Sequence, residues 1–493
     1  MNEIKKLAGQ TVIYGLGTIV PRFLNYGILT FVYTRIFAKE EYGIITELYA
    51  WMVLFQIILT YGMETGFFRF SQKKNNYEQV YSTSLVSLLI SSSLFLILTN
   101  IFIDPFSRLL RYENNPDYIR MFSAILAIDA INSIPFARLR RENKAMIFSI
   151  IKILNVVITV VAVLFLLLIA PGVYENSNGI FRKIYNPAYG VGYVFLSNLI
   201  GSIATLLMLL PYMFKIKLVF NDKLWKQMII YSMPLMIAGL GGSINDVIDK
   251  VLLRRIIGGE QGLYMVGEYG AGYKVGVLMA LFVQMFRFAA EPFFFARADK
   301  KDAKKTYASV MKYFILVMLI IFLGLNLYKS GIQYIIGKEY RNSIVVVPMI
   351  SMAYLLYGIY LNHSIWFKIN NMTKFGVYIT FAGAAVTVLI NVLFIPFYGY
   401  MASAWAHVAS YLTMIVISFT LAKKYYYVNY GLWKLWPYFT IAIAMVIFSM
   451  KFHYNNIFNE LIINTCLIAA FIVYAQYKDK IFYVFVKKNW NEG

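Results

Sequence analysis

The chain has 493 residues, 60% of them hydrophobic and only 14% charged, with a mean hydropathy of +0.63. That composition excludes a soluble globular enzyme and describes an integral membrane protein. The formal charge of +22 does not point to nucleic acid, because the basic residues sit in short clusters between apolar spans, where cytoplasmic loops of membrane proteins carry them. A single cysteine, Cys466, lies in an apolar run and excludes a disulfide framework or a thiolate metal site.

The residues before the first span, Asn2, Glu3, Lys5 and Lys6 among them, read as a retained cytoplasmic lead-in rather than a cleaved signal. Spans of roughly 20 apolar residues are then expected at 11–37, 42–68, 79–103, 118–138, 145–170, 188–214, 228–257, 264–296, 306–328, 343–367, 375–397, 400–422, 432–452 and 457–477. The fold class is therefore all-α, with about fourteen transmembrane helices. Lys and Arg concentrate on alternate connections, from Lys5 and Lys6 through Arg138 to Lys144 and Arg297 to Lys305 to Lys487 and Lys488, which predicts a multi-pass inner-membrane protein with both termini cytoplasmic.

The first span places Pro21 and Arg22 inside an apolar stretch. Arg at the centre of a membrane helix costs about 2.5–3.5 kcal/mol on insertion scales, so it should face protein or water. Tyr14, Thr18, Arg22, Asn25 or Tyr26, and Tyr33 form a polar stripe at helical spacing. Pro21, with Gly15 and Gly17, predicts a bend beside the charge.

In the seventh span Asp246, Asp249, Lys250 and Arg254 fall within about two turns, and the i,i+4 spacing pairs Asp246 with Lys250. The eighth adds Lys274, which has no acidic residue one turn away, and the pair Arg287 and Glu291. Asp129, Glu64, His363 and His407 are isolated in sequence, and the lone histidines read as packing residues. Three histidines, one cysteine and no phosphate-binding glycine loop leave no metal, thiol or nucleotide site. The connections are too short for a soluble catalytic domain.

An internal repeat organises the chain. Arg35-Ile36-Phe37 followed by Glu41-Tyr42-Gly43 recurs as Arg255-Ile256-Ile257 followed by Glu268-Tyr269-Gly270. Tyr189-Gly190 recurs as Tyr398-Gly399, each after a span containing an Asn, Asn155 and Asn391. Both copies start on the same side, so the repeats are parallel. The expected division is 1–215 and 216–425, two six-helix bundles, and 426–493, two further helices and a tail.

These residues resemble the multidrug, oligosaccharidyl-lipid and polysaccharide (MOP) exporter superfamily and, within it, the Wzx-like polysaccharide flippases. The resemblance spans nearly the whole chain and is carried by Pro21-Arg22-Phe23-Leu24, Thr34-Arg35-Ile36-Phe37, Glu41-Tyr42-Gly43, Arg140-Arg141-Glu142-Asn143-Lys144, and Asn391 with Ile395-Pro396 and Tyr398-Gly399. It implies two bundles around a central cationic cavity that flips an undecaprenyl pyrophosphate-linked oligosaccharide from the cytoplasmic to the periplasmic leaflet by alternating access. The product would be O-antigen (lipopolysaccharide), capsule or another surface polysaccharide. Arg22 matches the first-helix Arg that a related lipid II flippase places in its cavity; a second Arg of such flippases falls near Ile28 here.

Candidate substrate-binding residues are Arg22, Asn25, Tyr26, Arg35, Lys250, Arg254 and Lys274, with Asp246 and Asp249 as counter-charges or ion-coupling groups. No bound cofactor is expected, and a proton or sodium gradient is the candidate energy source. Expected partners are the lipid-linked oligosaccharide, membrane lipids, and a polysaccharide polymerase with chain-length machinery, without nucleic acid. The alternatives are a multidrug or cation antiporter of the same superfamily, which would want an acidic rather than a cationic lumen, and a membrane glycan polymerase or ligase.

Overall fold

The computed structural model describes residues 15, 17, 19–72, 77–176, 179–214, 216–370, 372–452 and 456–479. Tyr14, Thr18, the lead-in, His453, Lys487 and Lys488 lie outside the described residues. The described chain is helical, without a strand. Thirteen of its helices are long and apolar enough to cross a membrane. The helix over 19–36 precedes them.

In chain order the helices are α1 (19–36), α2 (Lys39–Phe70), α3 (Tyr77–Ile101), α4 (Pro116–Arg141), α5 (Ala145–Asn176), α6 (Gly192–Met213), α7 (Asp222–Ile257), α8 (Gly259–Gly276), α9 (Leu278–Arg297), α10 (Ala303–Leu327), α11 (Val347–His363), α12 (Lys374–Tyr398), α13 (Tyr400–Tyr425), α14 (Trp436–Lys451) and α15 (Ile457–Asp479). The span expected at 264–296 is two helices, α8 and α9, because the helix breaks at Val277. Lys274 is thus on a different helix from Arg287 and Glu291.

By packing, the chain forms two compact units, Met1–Gly270 with Ile395–Gly399, and Ala271–Phe394 with Tyr400–Gly493. They describe contacts rather than internal repetition: α7 packs along α2 in the first unit, although it opens the second repeat.

The first unit is held by an apolar core of Met63, Phe67, Tyr81, Leu85, Leu88, Ile134 and Met228, drawn from α2, α3, α4 and α7. Burying one such side chain contributes about 1.5–3 kcal/mol relative to exposure in water. Lipid is as apolar as these side chains, however, so close approach of backbones and polar bonds must do more of the joining. Glycine supplies the approach where α2 crosses α8. A Cβ on Gly43 would fall on the Leu263 carbonyl, and one on Gly267 would fall on the Lys39 carbonyl. A Cβ on Gly270 would lie 2.7 Å from the Thr46 hydroxyl. The two Glu-Tyr-Gly copies therefore pack against each other's helices, each with its glycine in the contact and its tyrosine, Tyr42 or Tyr269, buried.

The repeated asparagines also behave alike. Asn155 of α5 donates to the Gly201 carbonyl (2.9 Å) and Thr205 (2.8 Å) of α6. In the second unit Ser403 of α13 donates to Asn391 of α12 at 2.7 Å. Each asparagine ties its span to the next one.

In the second unit α11 and α13 pack around Trp366, Tyr360, Tyr411 and Met414. His363 is bonded to Ser418 at 2.7 Å and stacks on Phe419, as a packing residue does. The extra helix α15 is bonded to α10, through Lys312 to Asp479 (3.0 Å) at one end and Asn464 to the Leu327 carbonyl (2.7 Å) at the other, and α14 packs against α10 as well.

Replacing Gly267 by Leu should cost at least about 3 kcal/mol through backbone displacement, seen as lost folded protein in detergent. Gly324→Ala, where a Cβ meets nothing within 4 Å, should leave the folded yield at or above wild type.

Candidate functional site

Arg22 lies just beyond Pro21 on α1, and its side chain is exposed, not covered by protein. The next turn is not α-helical: Asn25–Leu29 forms a π-helical segment. Pro21 lacks an N–H and Gly27 has no side chain to hold an α-turn, so the ladder loosens here; such π-turns recur at functional sites. The segment carries Asn25 and Tyr26, both half-buried. Tyr26 is within electrostatic reach of Arg22 and of Asp246 on α7. Tyr26 thus senses candidate charges on two helices.

A second group completes the surroundings of Arg22. The ammonium of Lys152, on α5, feels Asp129 of α4, Glu64 of α2, Arg140 of α4 and Arg22 itself. It lies 4.1 Å from the centre of the Phe136 ring. Asp129 is exposed. Arg140 pairs with Glu64 and sits over Phe68 (5.0 Å). Arg22 and Asp129 are exposed and Glu64, Arg140 and Lys152 half-buried; charges facing hydrocarbon would be very costly, so this face is expected to meet water. It carries three cations and two carboxylates. Asp129 and Glu64 are isolated in sequence, and only the fold brings them to Lys152. The signal available in the sequence was Lys152 itself, the one charge between residues 145 and 170.

The end of α4 anchors this face. Asn143 takes a left-handed conformation (φ 56°) and Lys144 donates to the Leu139 carbonyl at 2.8 Å, a six-to-one helix stop. Arg138 then donates to Glu142 (2.7 Å) and to the Tyr212 carbonyl (2.7 Å) at the end of α6. Arg141 donates to the Ser71 carbonyl at 2.9 Å, at the end of α2. Cations at helix C-termini complement the partial negative charge there. With Arg138, the Arg-Arg-Glu-Asn-Lys motif is thus a clamp on three helices, and Arg140 is the member that joins the charged face.

The remaining candidates have other surroundings. The spacing argument pairs Lys250 with Asp246; in the structure Lys250 bridges the fully buried Asp249 (2.9 Å) and donates to the Asp246 backbone carbonyl (3.0 Å). Tyr269 donates to Asp249 at 2.6 Å. Arg254, left without a good partner by spacing on its own helix, has Nε 3.8 Å from Glu47 of α2, which also accepts from Tyr112 at 2.7 Å. Lys39 and Glu268 form a third buried pair at 3.5 Å. These cations are held by carboxylates between α2, α7 and α8. Arg35 folds back on its own helix, donating to the Phe31 carbonyl (2.8 Å) with its guanidinium over the Phe31 ring. Lys274 is half-buried and belongs to the second unit. There Glu291 accepts from Arg287 (3.2 Å), as its spacing predicts, and from Lys368 (2.8 Å).

A family model described as polysaccharide biosynthesis protein matches residues 7–296. No match is found among curated proteins. Among solved structures, the chain is similar to the lipid II flippase MurJ in an inward closed conformation, with a TM-score of 0.71 and 13% identity over 97% of this chain and 100% of that one. It is also similar to an outward-facing multidrug resistance MATE family transporter of the MOP superfamily, with a TM-score of 0.58 and 14% identity over 84% and 95%. A MATE in complex with MaL6 gives 0.60 and 15% over 85% and 95%. At these identities the likeness is one of fold.

The clamp at the end of α4 has a pH signature. Burial alone would raise the Glu142 carboxyl, but hydrogen bonds from Arg138, Lys144 and Tyr77 outweigh it and hold the group down at about 2. A depressed carboxylate contributes its full share above its unfolded value of about 4.3 and loses it as pH falls toward 2. Wild type should therefore have a thermal midpoint above that of Glu142→Gln at pH 6, by an amount worth about 2 kcal/mol. The gap should narrow steadily between pH 4.3 and 2 in detergent melts; a gap that does not change with pH would contradict the assignment.

Proposed function

This chain belongs to the polysaccharide biosynthesis protein family, and from that premise we propose that it is a flippase for a lipid-linked oligosaccharide. It carries the glycan on undecaprenyl pyrophosphate from the cytoplasmic to the periplasmic leaflet by alternating access, with both termini in the cytoplasm. The observation that carries this reading is the wet charged face around Arg22 inside a membrane-spanning unit. An oligosaccharide on a pyrophosphate presents two charged phosphates and many hydroxyls. Guanidinium offers phosphate a planar pair of donors, and lysine a compact charge. Among the described residues Arg22 forms no ion pair with a carboxylate; it follows a helix-loosening proline and precedes a π-turn, so it has both the charge and the backbone freedom to follow a moving headgroup. Asn25 and Tyr26 beside it supply the neutral polar contacts that sugars and phosphates accept.

Arg35, Lys250 and Arg254 are satisfied by their neighbours in this conformation, so their share in substrate binding depends on another conformation. The family and the shared fold support transport, and the sequence offers no grouped nucleophile and base that would favour catalysis instead. The fold is shared with multidrug transporters, but a drug cation would meet a face with three cations against two carboxylates.

Complementation of surface-glycan display, with membrane protein levels measured alongside, tests the assignment. Arg22→Ala should abolish display in a normally inserted protein, and Arg22→Lys should restore part of it, because lysine keeps the charge and loses the two-pronged geometry. Cells lacking the protein should accumulate lipid-linked oligosaccharide on the cytoplasmic leaflet without becoming sensitive to cationic drugs. Drug sensitivity with normal glycan display would transfer the chain to the multidrug reading.

A further inference from the structure

Between α9 and α11, within the second unit, lies a cleft with about 330 Å³ of empty space, part of it open to the surroundings. Its walls are apolar at Phe286 and Phe294 and polar at Arg287, Glu291, Asn362 and Lys368. Arg287 donates to one oxygen of Glu291 (3.2 Å) and Lys368 to the other (2.8 Å). Each cation uses a single N–H on that carboxylate, and neither side chain makes another bond to a described residue, so most of their donors are unused. Glu291 thus fixes where the two cations stand without exhausting them. Asn362 is 2% exposed, yet neither its amide nitrogen nor its amide oxygen has a partner among the described residues. A buried polar group left without a partner is costly, and in a native protein it signals a water or ligand that belongs there. Arg287 is exposed, Glu291 and Lys368 are half-buried and Asn362 is buried, so the charges stand at the mouth and the amide at the floor. Glu291 precedes Arg297, the end of α9, by six residues, about 9 Å along a helix. Lys368 lies on the short helix Ile365–Ile369 that follows α11. The mouth is therefore nearer one membrane surface than the midplane, within reach of the headgroup layer, where basic pockets between spans take anionic headgroups.

We propose that this cleft binds the phosphodiester headgroup of an anionic membrane lipid, one that also carries hydroxyls. Charge selects the phosphodiester. Two cations against one carboxylate leave a single positive charge, which the single negative charge of a phosphodiester balances; a phosphate monoester or a pyrophosphate brings more charge than the cleft can match. The amide selects the hydroxyl. Its N–H groups donate to a phosphate oxygen, while its oxygen needs a donor, which a headgroup hydroxyl supplies and a bare phosphodiester does not. An ammonium headgroup would instead set a further cation beside Arg287 and Lys368. Phe286 and Phe294 give the apolar wall for the carbons that follow the phosphate. A lipid held in this way bridges α9 and α11 and stabilises their packing, as any ligand of the folded state does. None of these residues belongs to the Arg22 face, so the inference stands apart from the flippase reading.

The test titrates short-chain lipids into the purified full-length protein in neutral detergent and follows the thermal midpoint, with folded fraction checked for every variant. Dihexanoyl phosphatidylglycerol should raise the midpoint saturably. Dihexanoyl phosphatidylcholine and inorganic phosphate should need at least about tenfold higher concentration for the same rise. Lys368→Gln and Arg287→Gln should each move the phosphatidylglycerol titration to at least about tenfold higher concentration. Asn362→Leu should move it likewise while raising the midpoint of the lipid-free protein, because it removes the orphaned amide; a merely structural asparagine would lower that midpoint. Arg22→Ala should titrate as wild type. A wild-type midpoint that phosphatidylglycerol does not move, or Lys368→Gln and Asn362→Leu proteins that titrate as wild type, would overturn the inference. Phosphatidylcholine or inorganic phosphate acting as strongly as phosphatidylglycerol would overturn the choice of an anionic lipid. The flippase reading is decided separately, by glycan display with the Arg22 variants.

Discussion

The cost of placing charge in hydrocarbon constrains this molecule more than any apolar contact does. Lipid takes away the usual advantage of burying Leu and Phe, so a helix pair gains little from apolar surface alone, while each unpaired charge in a span costs several kcal/mol. The chain meets that constraint in two ways. Between α2, α7 and α8 it pairs its charges in protein: Lys250 with Asp249, Arg254 with Glu47, and Lys39 with Glu268, all nearly out of contact with solvent. Beside α1, α4 and α5 it leaves charges uncovered and gathers them on one face.

Those two arrangements have different energetics. A buried pair breaks badly, because losing one partner strands the other at a cost of about 3–5 kcal/mol, although forming the pair brings little net stability over an apolar substitute. Such pairs serve to specify which helix meets which. The Arg254 and Glu47 contact is an instance: Nε lies 3.8 Å away and makes no hydrogen bond, so it is weak as a bond but decisive as a neutralisation of Glu47. The uncovered face around Arg22 works the other way, since water already solvates part of it and exchanging one partner for another costs far less. Binding chemistry belongs where exchange is cheap.

The sequence disclosed the fold well because membrane spans are written in local composition. The spans, the parallel repeat and the Glu-Tyr-Gly copies could be read from runs and recurrences, and the α2 and α8 crossing gives the glycines of that repeat a reason, since Gly43 admits the Leu263 backbone and Gly270 the Thr46 side chain. One boundary was hidden: nothing apolar or polar changes at Val277, and the break between α8 and α9 there is set by packing rather than composition. Pairing was legible only within a helix. Arg287 with Glu291, four residues apart, was visible; Arg254 with Glu47, or Arg140 with Glu64, joins residues far apart in the chain, and no spacing rule reaches them.

Arg22 was found by its oddity, a charge in an apolar run behind a proline, and the same criterion applied to α5 selects Lys152. The general step is to treat every lone charge of a span as one half of an unread pair. For Glu64 the other half was Arg140 on another helix, and its isolation in sequence was a sign of a tertiary partner rather than of idleness. A membrane chain with a surplus of cations on a wet face, after all its carboxylates have been assigned, is built to meet an anion that arrives from outside. Here the surplus is one charge, from Arg22, Arg140 and Lys152 against Glu64 and Asp129. On the flippase reading proposed above, that one net charge is what a phosphate headgroup would meet in the span.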